Sequence, residues 1–99
     1  MAKITFEKDP DDKLYYVIDV TAALGYSKTR IVNAASVTLI PQGVQVLEGP
    51  DPQGDIGGLI VLKVGGMGAT GTDSFVTARV ICENTEQFDS TIYFTPVDH

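Results

Sequence analysis

The sequence predicts an all-β fold, a single antiparallel β-sandwich domain of about seven strands that spans residues 1–99. Two observations support this prediction. Apolar residues recur at every second position in several segments, which is the pattern of half-buried strands. Turn-forming residues separate those segments at intervals of about 8–12 residues, as in sandwiches and small barrels, and no segment longer than one turn shows helical periodicity.

The first half of the chain contains four candidate strands. "KITF" over residues 3–6 predicts a short edge strand, and "LYYVIDV" has two alternating faces, one of which carries Leu14, Tyr16, Ile18 and Val20. The overlapping stretch "DVTAALGYS" allows one helical turn closed by Gly25. "SVTLI" and "VQVLE" lie on either side of a Pro41-Gln42-Gly43 turn, so residues 36–48 predict two short strands around a tight connection.

The second half contains three further candidate strands. "GLIVLKV" is apolar on both faces except at Lys63, which predicts a central strand covered on both faces. "FVTARVIC" and "FDSTIYF", joined by the polar turn "ENTEQ", predict the closing hairpin. The residues on the apolar phase of the strands form the predicted core: Ile18, Val37, Leu39, Ile60, Leu62, Val80, Ile92 and Phe94.

The charge and cysteine content exclude several classes of function. Thirteen acidic and seven basic residues give a formal net charge of −6. Because phosphate-backbone binding needs clustered Lys and Arg, we expect no nucleic-acid partner. Cys82 is the single cysteine, which excludes an internal disulfide and a cysteine-based zinc site within the chain.

The sequence also predicts no membrane association, since no apolar run approaches the length that spans a bilayer. The opening "MAKITFEKDP" lacks the apolar region of a signal peptide. We therefore expect the protein to be made in a cytoplasm and either kept there or assembled there into something larger.

Two motifs look like ligand sites but lack the context that such sites need. Residues 66–71 read G-M-G-A-T-G after a predicted strand, yet a dinucleotide site needs a helix next, and the following "TDSFVTARVI" has strand spacing. We therefore expect a flexible glycine loop and no cofactor. The acidic group of Glu7, Asp9, Asp11 and Asp12 lacks the alternating ligands and central glycine of a calcium loop, so we expect a solvated acidic turn that binds no metal.

No catalytic site is predicted, so we expect a protein that is not an enzyme. His99 is the single histidine and the last residue of the sequence, whereas a general base must be held by a second group and shielded from water. Cys82 lies on the apolar phase of its strand, which is typical of a buried small hydrophobic residue and not of a nucleophile.

Two loops are the predicted protein-contact regions. "EGPDPQGDIGG", residues 48–58, is long for a hairpin connection, and it is either a binding loop or a crossover between two sheets. In the second loop, Gly65–Asp73, Met67 is an apolar side chain among glycines, which a partner would explain; otherwise both loops are mobile connectors. The predicted contact residues are Pro50, Asp51, Gln53, Asp55, Met67, Thr70 and Thr72.

Four stretches carry a resemblance to a known family. They are "KDPDDKLYYVIDVTAAL", "IVNAASVTLIPQGVQV", "LIVLKVGG" and "ATGTDSFVTARVICENTEQFDSTIYF". In order and spacing, over nearly the whole chain, they resemble the small phage virion proteins known as fiber–tail adaptors. Two departures are Val20, where a tryptophan is often expected, and "ENTEQ", where the family more often has a turn of small residues with glycine. The resemblance implies an immunoglobulin-like sandwich, in which the acidic turn fixes where the following strand begins.

The same resemblance implies a function in the virion. It is that of a non-enzymatic structural protein at the tail or neck, which joins fibers or other appendages to the particle and has other virion proteins as partners in a multi-copy assembly. A capsid decoration (cement) protein is the alternative within this class. A carbohydrate-binding module is the alternative from another class, and it would need exposed aromatic residues beside a polar groove. The candidate aromatic residues are Tyr15, Tyr16, Tyr26 and Tyr93.

Overall fold

The computed structural model describes residues 4–9, 11–66 and 74–96. Strands dominate this part of the chain, which also contains one 3₁₀ turn, Ala34–Ser36, and one short helix, α1 (Thr21–Tyr26). The strands are β1 (Ile4–Lys8), β2 (Leu14–Asp19), β3 (Val37–Gln42), β4 (Gln45–Gln53), β5 (Leu59–Gly65), β6 (Ser74–Ile81) and β7 (Gln87–Pro96).

The strands form two sheets that face each other across an apolar core. The four-stranded sheet has the order β1-β7-β6-β3, and the three-stranded sheet has the order β2-β5-β4. Inward-facing residues of both sheets, among them Ile18, Ile60, Leu62 and Ile92, are almost fully buried in one cluster. Of the predicted core residues, Leu39 is half-buried against this cluster and all the others are buried. The all-β architecture of two packed sheets is therefore confirmed.

Strand β1 departs from the predicted antiparallel arrangement. It lies at the edge of its sheet, as "KITF" predicted, but it pairs in parallel with β7 and places Phe6 opposite Phe94. The other described pairings are antiparallel. No turn joins β1 to β7. The chain leaves β1 through the acidic turn and enters the other sheet, so the direction of β1 is set by that crossing and not by a hairpin.

An aromatic cluster joins the two sheets at the edge where β1 and β2 lie. The Tyr16 ring meets the Phe6 ring edge-on at a centroid distance of 5.1 Å, and it meets Phe94 at 4.9 Å. Edge-to-face pairs add roughly 0.5–1.5 kcal/mol each beyond the area that they bury. These contacts hold β2 of one sheet against β1 and β7 of the other.

The closing hairpin and the tight β3–β4 connection are both present, but only the first joins two strands that pair with each other. Strands β6 and β7 pair around the "ENTEQ" turn, with Val80 opposite Phe88, as predicted. Strands β3 and β4 do not pair with each other, because β3 pairs with β6 and β4 pairs with β5. Their connection at Gly43, whose φ is 71°, therefore passes the chain from one sheet to the other.

The stretch "EGPDPQGDIGG" is not a single loop, which corrects the sequence prediction. Residues 48–53 belong to β4, and only residues 54–58 connect β4 to β5. Strand β4 is an edge strand, where proline is tolerated because no neighbouring strand needs the backbone N–H that proline lacks. Two shifts of register, one on each side of Glu48, interrupt the alternation that would otherwise mark a strand.

Two smaller predictions are also wrong. Gly25 does not close the helical turn: it lies inside α1, which ends at Tyr26 and buries Leu24. Strand β5 is central in its sheet, as predicted, but only one of its faces is covered. Leu62 is fully buried, whereas Leu59 on the opposite face is 39% exposed. The three-stranded sheet thus has a solvent-exposed face.

Candidate functional site

The exposed face of the three-stranded sheet is the candidate functional site, and we call it the outer face. Strand β5 supplies the middle residue of each of its cross-strand rows, with β2 on one side and β4 on the other. The rows are Tyr15–Lys63–Glu48, Val17–Val61–Asp51 and Asp19–Leu59–Gln53.

An apolar strip runs along the outer face. Tyr15 is 60% exposed, Val17 42% and Leu59 39%, and Val61 beside them is half-buried. A single exposed apolar residue is ordinary, whereas adjoining ones form a candidate surface for contact with a partner. These side chains point away from the core, so the packing of the core does not account for them.

The opposite side of the molecule provides a comparison. The outward rows at the centre of the four-stranded sheet are Thr38–Arg79–Asp89 and Ile40–Thr77–Thr91. There Arg79 donates hydrogen bonds of 3.1 and 3.2 Å to Asp89, and the Thr77 and Thr91 hydroxyls lie 2.8 Å apart. Four polar side chains of these rows thus pair with one another, and Ile40, which is 38% exposed, lies among polar neighbours. On the outer face the exposed apolar side chains adjoin one another, which suits that face better to a partner.

Glu48 organises one end of the outer face. Its carboxylate accepts a hydrogen bond of 2.6 Å from the Tyr15 hydroxyl and lies 3.6 Å from the Lys63 ammonium. That ammonium lies 5.4 Å from the centre of the Tyr15 ring. The hydrogen bond from Tyr15 lowers the pKa of Glu48, and the same bond raises the pKa of the Tyr15 hydroxyl. Because the network is exposed, it orients these side chains more than it stabilises the fold.

The other end of the outer face is acidic. The Asp19 carboxylate accepts a hydrogen bond of 3.0 Å from the Thr21 backbone N–H, and this bond lowers the pKa of Asp19. The Asp51 carboxylate accepts one of 2.7 Å from the Gln53 side-chain amide. In the part of the chain that the structure describes, no Lys or Arg forms an ion pair with either carboxylate.

Four of the predicted contact residues line shallow grooves at or beside the outer face. Pro50 and Asp51 line a groove on its β4 side, and Gln53 and Asp55 line another beside Leu59. The remaining predicted residues, Met67, Thr70 and Thr72, lie outside the described residues. A partner on the outer face would touch the first four, and the role of all seven as contacts stays a prediction.

Sequence reasoning missed Val17, Leu59 and Val61 as surface residues. The run "GLIVLKV" predicts burial on both faces of its strand, although only one face is covered. One signal was present in β2, where Val17 shares a face with Tyr15 and Asp19. A face that carries a carboxylate is seldom fully covered.

The acidic turn is solvated, as predicted, since Asp11 and Asp12 are exposed, but it also holds Lys8. The Lys8 side chain is buried, and its ammonium donates hydrogen bonds to the backbone carbonyls of Asp9, at 2.9 Å, and Asp12. Burial lowers the pKa of Lys8, while the carboxylates of Asp12, Asp9 and Asp11 oppose that shift. The acidic turn therefore closes over a buried cation. No group of three or more His, Cys, Asp or Glu among the described residues is arranged to hold a metal ion.

The remaining sequence motifs carry no further site. Cys82 is buried, as predicted, and burial raises the pKa of its thiol. Strand β6 begins at Ser74, after the glycine motif, where a dinucleotide site would require a helix. His99 lies outside the described residues. Within residues 4–9, 11–66 and 74–96, no helix has the length and apolar character needed to cross a membrane.

The four tyrosines do not form one platform for a sugar. Tyr15 lies on the outer face, and Tyr26 lies on α1 with 90% of its surface exposed. Tyr16 packs between the sheets, and Tyr93 packs against Phe75 at a centroid distance of 5.8 Å. The structure therefore offers a carbohydrate no continuous surface made of these four rings.

No protein-family model, curated protein or solved structure matches the chain. The function is therefore inferred from the outer face itself and from the sequence resemblance.

Proposed function

We propose that this protein is a non-enzymatic structural protein of a bacteriophage virion, which sits at the tail or neck and joins fibers or other appendages to the particle. The observation that carries the proposal is the apolar strip of the outer face, since adjoining exposed apolar side chains suit contact with another protein. The resemblance to fiber–tail adaptors over nearly the whole chain supplies the kind of assembly. The partners are other virion proteins, and the sandwich is of the immunoglobulin-like type.

The geometry suits a connecting role. The outward rows at the centre of the four-stranded sheet are occupied with their own hydrogen bonds, whereas the three-stranded sheet presents an apolar strip. Each molecule then offers the outer face for contact. When many copies are arranged around a particle, contacts that are individually weak add up to strong attachment. Such a role needs neither a cofactor nor a catalytic group.

Electron microscopy of particles with the protein labelled tests this proposal. A gold-conjugated antibody raised against the purified chain should label washed phage particles at the neck or tail. Antibody preabsorbed with the purified chain is the control. Particles grown without this protein should keep filled heads but lack fibers.

Two other patterns would assign a different function. Label spread over the head surface, together with heads that rupture more easily, would replace the adaptor role with that of a capsid decoration protein. Absence of the protein from washed particles would overturn both virion roles. Binding to a glycan array that Tyr15→Ala abolishes would then favour the carbohydrate-binding module.

A further inference from the structure

We propose that the outer face binds one amphipathic segment of another protein, in which apolar side chains are flanked by Lys or Arg. The inference deepens the proposed function, on which it rests for the kind of assembly, by naming the chemistry of the partner. Three properties of the outer face support it: its size, its apolar strip and its charges.

The size of the outer face favours a single segment over a whole domain. Strand β5 has seven residues. With a rise of about 3.4 Å per residue and strands about 4.8 Å apart, the three strands cover roughly 24 by 14 Å, on the order of 300 Å². A standard interface buries about 800 Å² of accessible surface per partner, so a whole domain would have to make contacts well beyond this face. One helix of about 15 residues, roughly 22 Å long and 10 Å wide, matches the face.

The charges on the face select a basic segment. Asp19 and Asp51 lie at the edges of the apolar strip, and no described Lys or Arg forms an ion pair with them. Lys63 is already beside Glu48. The rows therefore hold three carboxylates and one ammonium, a net charge of −2 (−3 + 1). Lys13 lies beyond the Tyr15 end, near Gly65, and Arg30, which lines a groove together with Asp51, is already paired with Glu83.

A basic amphipathic segment satisfies both properties at once. The methylene groups of Lys and Arg side chains pack on apolar surface, while the charged group extends beyond that surface to polar groups or water. On the outer face, the stem would cover Val17 or Leu59 and the charge would meet Asp19 or Asp51. Leu or Ile side chains of the same segment would cover the rest of the strip.

A second copy of this chain fits the face less well. Each copy carries a formal net charge of −6 and would bring its own Asp19 and Asp51 into the contact, so like charges would be desolvated together. Pairing through the free edge of β4 is also disfavoured, because Pro50 and Pro52 lack N–H donors and the strand is bulged. The occupant is therefore a different protein.

Synthetic peptides test the chemistry with the purified chain alone. Three amphipathic peptides of about 15 residues carry Leu on one helical face and differ only in their polar positions, which are all Lys, all Gln or all Glu. Calorimetry gives each Kd, and NMR maps the amide signals that shift. In about 0.15 M salt, the Lys peptide should bind and shift the signals of β2, β4 and β5, the strands of the outer face. The Gln peptide should bind more weakly, and the Glu peptide should not bind.

Matched variants locate the contact. Val17→Asp should weaken binding of the Lys peptide at least about tenfold. Ile81→Asp is the control, since Ile81 is a comparably exposed strand residue of the other sheet, 50% against 42% for Val17. It should leave the Kd unchanged. Val17→Thr is the second variant, for the case in which Val17→Asp unfolds the protein. It keeps the shape of the side chain, so the NMR spectrum should stay that of the folded protein while binding of the Lys peptide weakens.

A second pair of variants tests the charges. Asp19→Asn combined with Asp51→Asn should raise the Kd of the Lys peptide about 2- to 30-fold. The control is Glu7→Gln combined with Glu86→Gln, which changes the net charge by the same amount at exposed positions away from the outer face. It should change the Kd of the Lys peptide less than about twofold, because salt screens distant charges.

The inference would be overturned by equal binding of the Lys and Glu peptides, by equal effects of the two double variants, or by shifts that lie outside β2, β4 and β5. Self-association of the free chain that Val17→Asp abolishes would also overturn it, because the occupant would then be a second copy. No particle enters these measurements. A chain that labels the tail but binds no peptide rejects this inference only, and a chain that binds the Lys peptide but is absent from particles rejects only the proposed function.

Discussion

Four glycine-to-alanine substitutions separate two reasons why this fold requires glycine. Gly49 has a φ of 107°, and a Cβ there would lie 2.9 Å from a backbone carbonyl oxygen of β5. Gly54 has a φ of 90° but open space around it. Gly58 has a φ outside the left-handed region, yet a Cβ added there would lie 2.6 Å from the hydroxyl oxygen of Thr21, the first residue of α1. Gly25 has neither constraint.

The magnitudes follow from these two constraints. A left-handed backbone costs an L-residue about 1–2 kcal/mol, and replacing glycine returns about 0.4–1 kcal/mol through the unfolded chain, so Gly54→Ala should destabilise by about 1 kcal/mol. Overpacking costs about 1–3 kcal/mol, so Gly58→Ala should destabilise by about 1–2 kcal/mol. Gly49→Ala combines both costs and should destabilise by about 2–4 kcal/mol. Gly25→Ala lies in a helix and should stabilise by about 0.5–1 kcal/mol.

Urea unfolding followed by circular dichroism measures the four changes in free energy of unfolding. In thermal unfolding, each kcal/mol corresponds to a shift in Tm of roughly 4–8 °C for a domain of this size. Equal costs at Gly49 and Gly54 would refute the close approach of Gly49 to β5. A destabilising Gly25→Ala would contradict the position of that residue inside α1.

Four other outcomes are expected. Phe94→Ala should destabilise by about 2–5 kcal/mol in urea unfolding, whereas Ile81→Ala at an exposed position should change stability by about 0.5 kcal/mol or less; equal costs would place Phe94 outside the core. Replacing residues 48–58 by an Asn-Gly turn removes most of β4, so the dispersed NMR spectrum of a folded protein should be lost. A variant that is folded and equally stable would contradict the β4–β5 pairing. Because the folded state lowers the pKa of Lys8, the unfolded chain holds the Lys8 proton more tightly. The contribution of Lys8 to the free energy of unfolding should therefore increase as the pH rises towards 10.5. If Lys8→Met has the same dependence of unfolding free energy on pH as the original chain, Lys8 does not make this contribution. Thr85→Gly should stabilise by about 1 kcal/mol, because a β-branched residue with φ in the left-handed region is strained, and an unchanged Tm would contradict the φ of 71° at this turn.

The strands that could be predicted from the sequence are those whose alternation and turns lie within a short stretch of the chain. Strands β6 and β7 alternate regularly and are joined by a short polar turn, so their pairing could be predicted from neighbouring residues alone. Strand β4 could not, because Pro50 and Pro52 and the shifted register hide its alternation. Only its position at a sheet edge makes those features tolerable, and that position is set by the whole fold.

The candidate site was predictable only in part, for a related reason. Asp51 and Gln53 were predicted as contacts within a loop, whereas they lie beside the apolar strip on a strand. The strip itself could not be predicted, because an apolar run such as that around Val61 does not reveal how many layers cover the strand. In the sequence, Lys8 looks like any surface lysine; its burial depends on how the acidic turn closes.

The parallel pairing of β1 with β7 determines when the protein is able to fold during its synthesis. Ile4 pairs with Ile92, 88 positions later (92 − 4), so among the described strands β1 has no hydrogen-bonded neighbour until β7 has left the ribosome. Pairings between such distant residues slow folding and leave the early strand exposed in the meantime. Because β7 lies between β1 and β6, a chain that stops before Gln87 loses both pairings at once. Prematurely terminated chains therefore fail to build the four-stranded sheet, and only chains that extend through β7 are able to complete it.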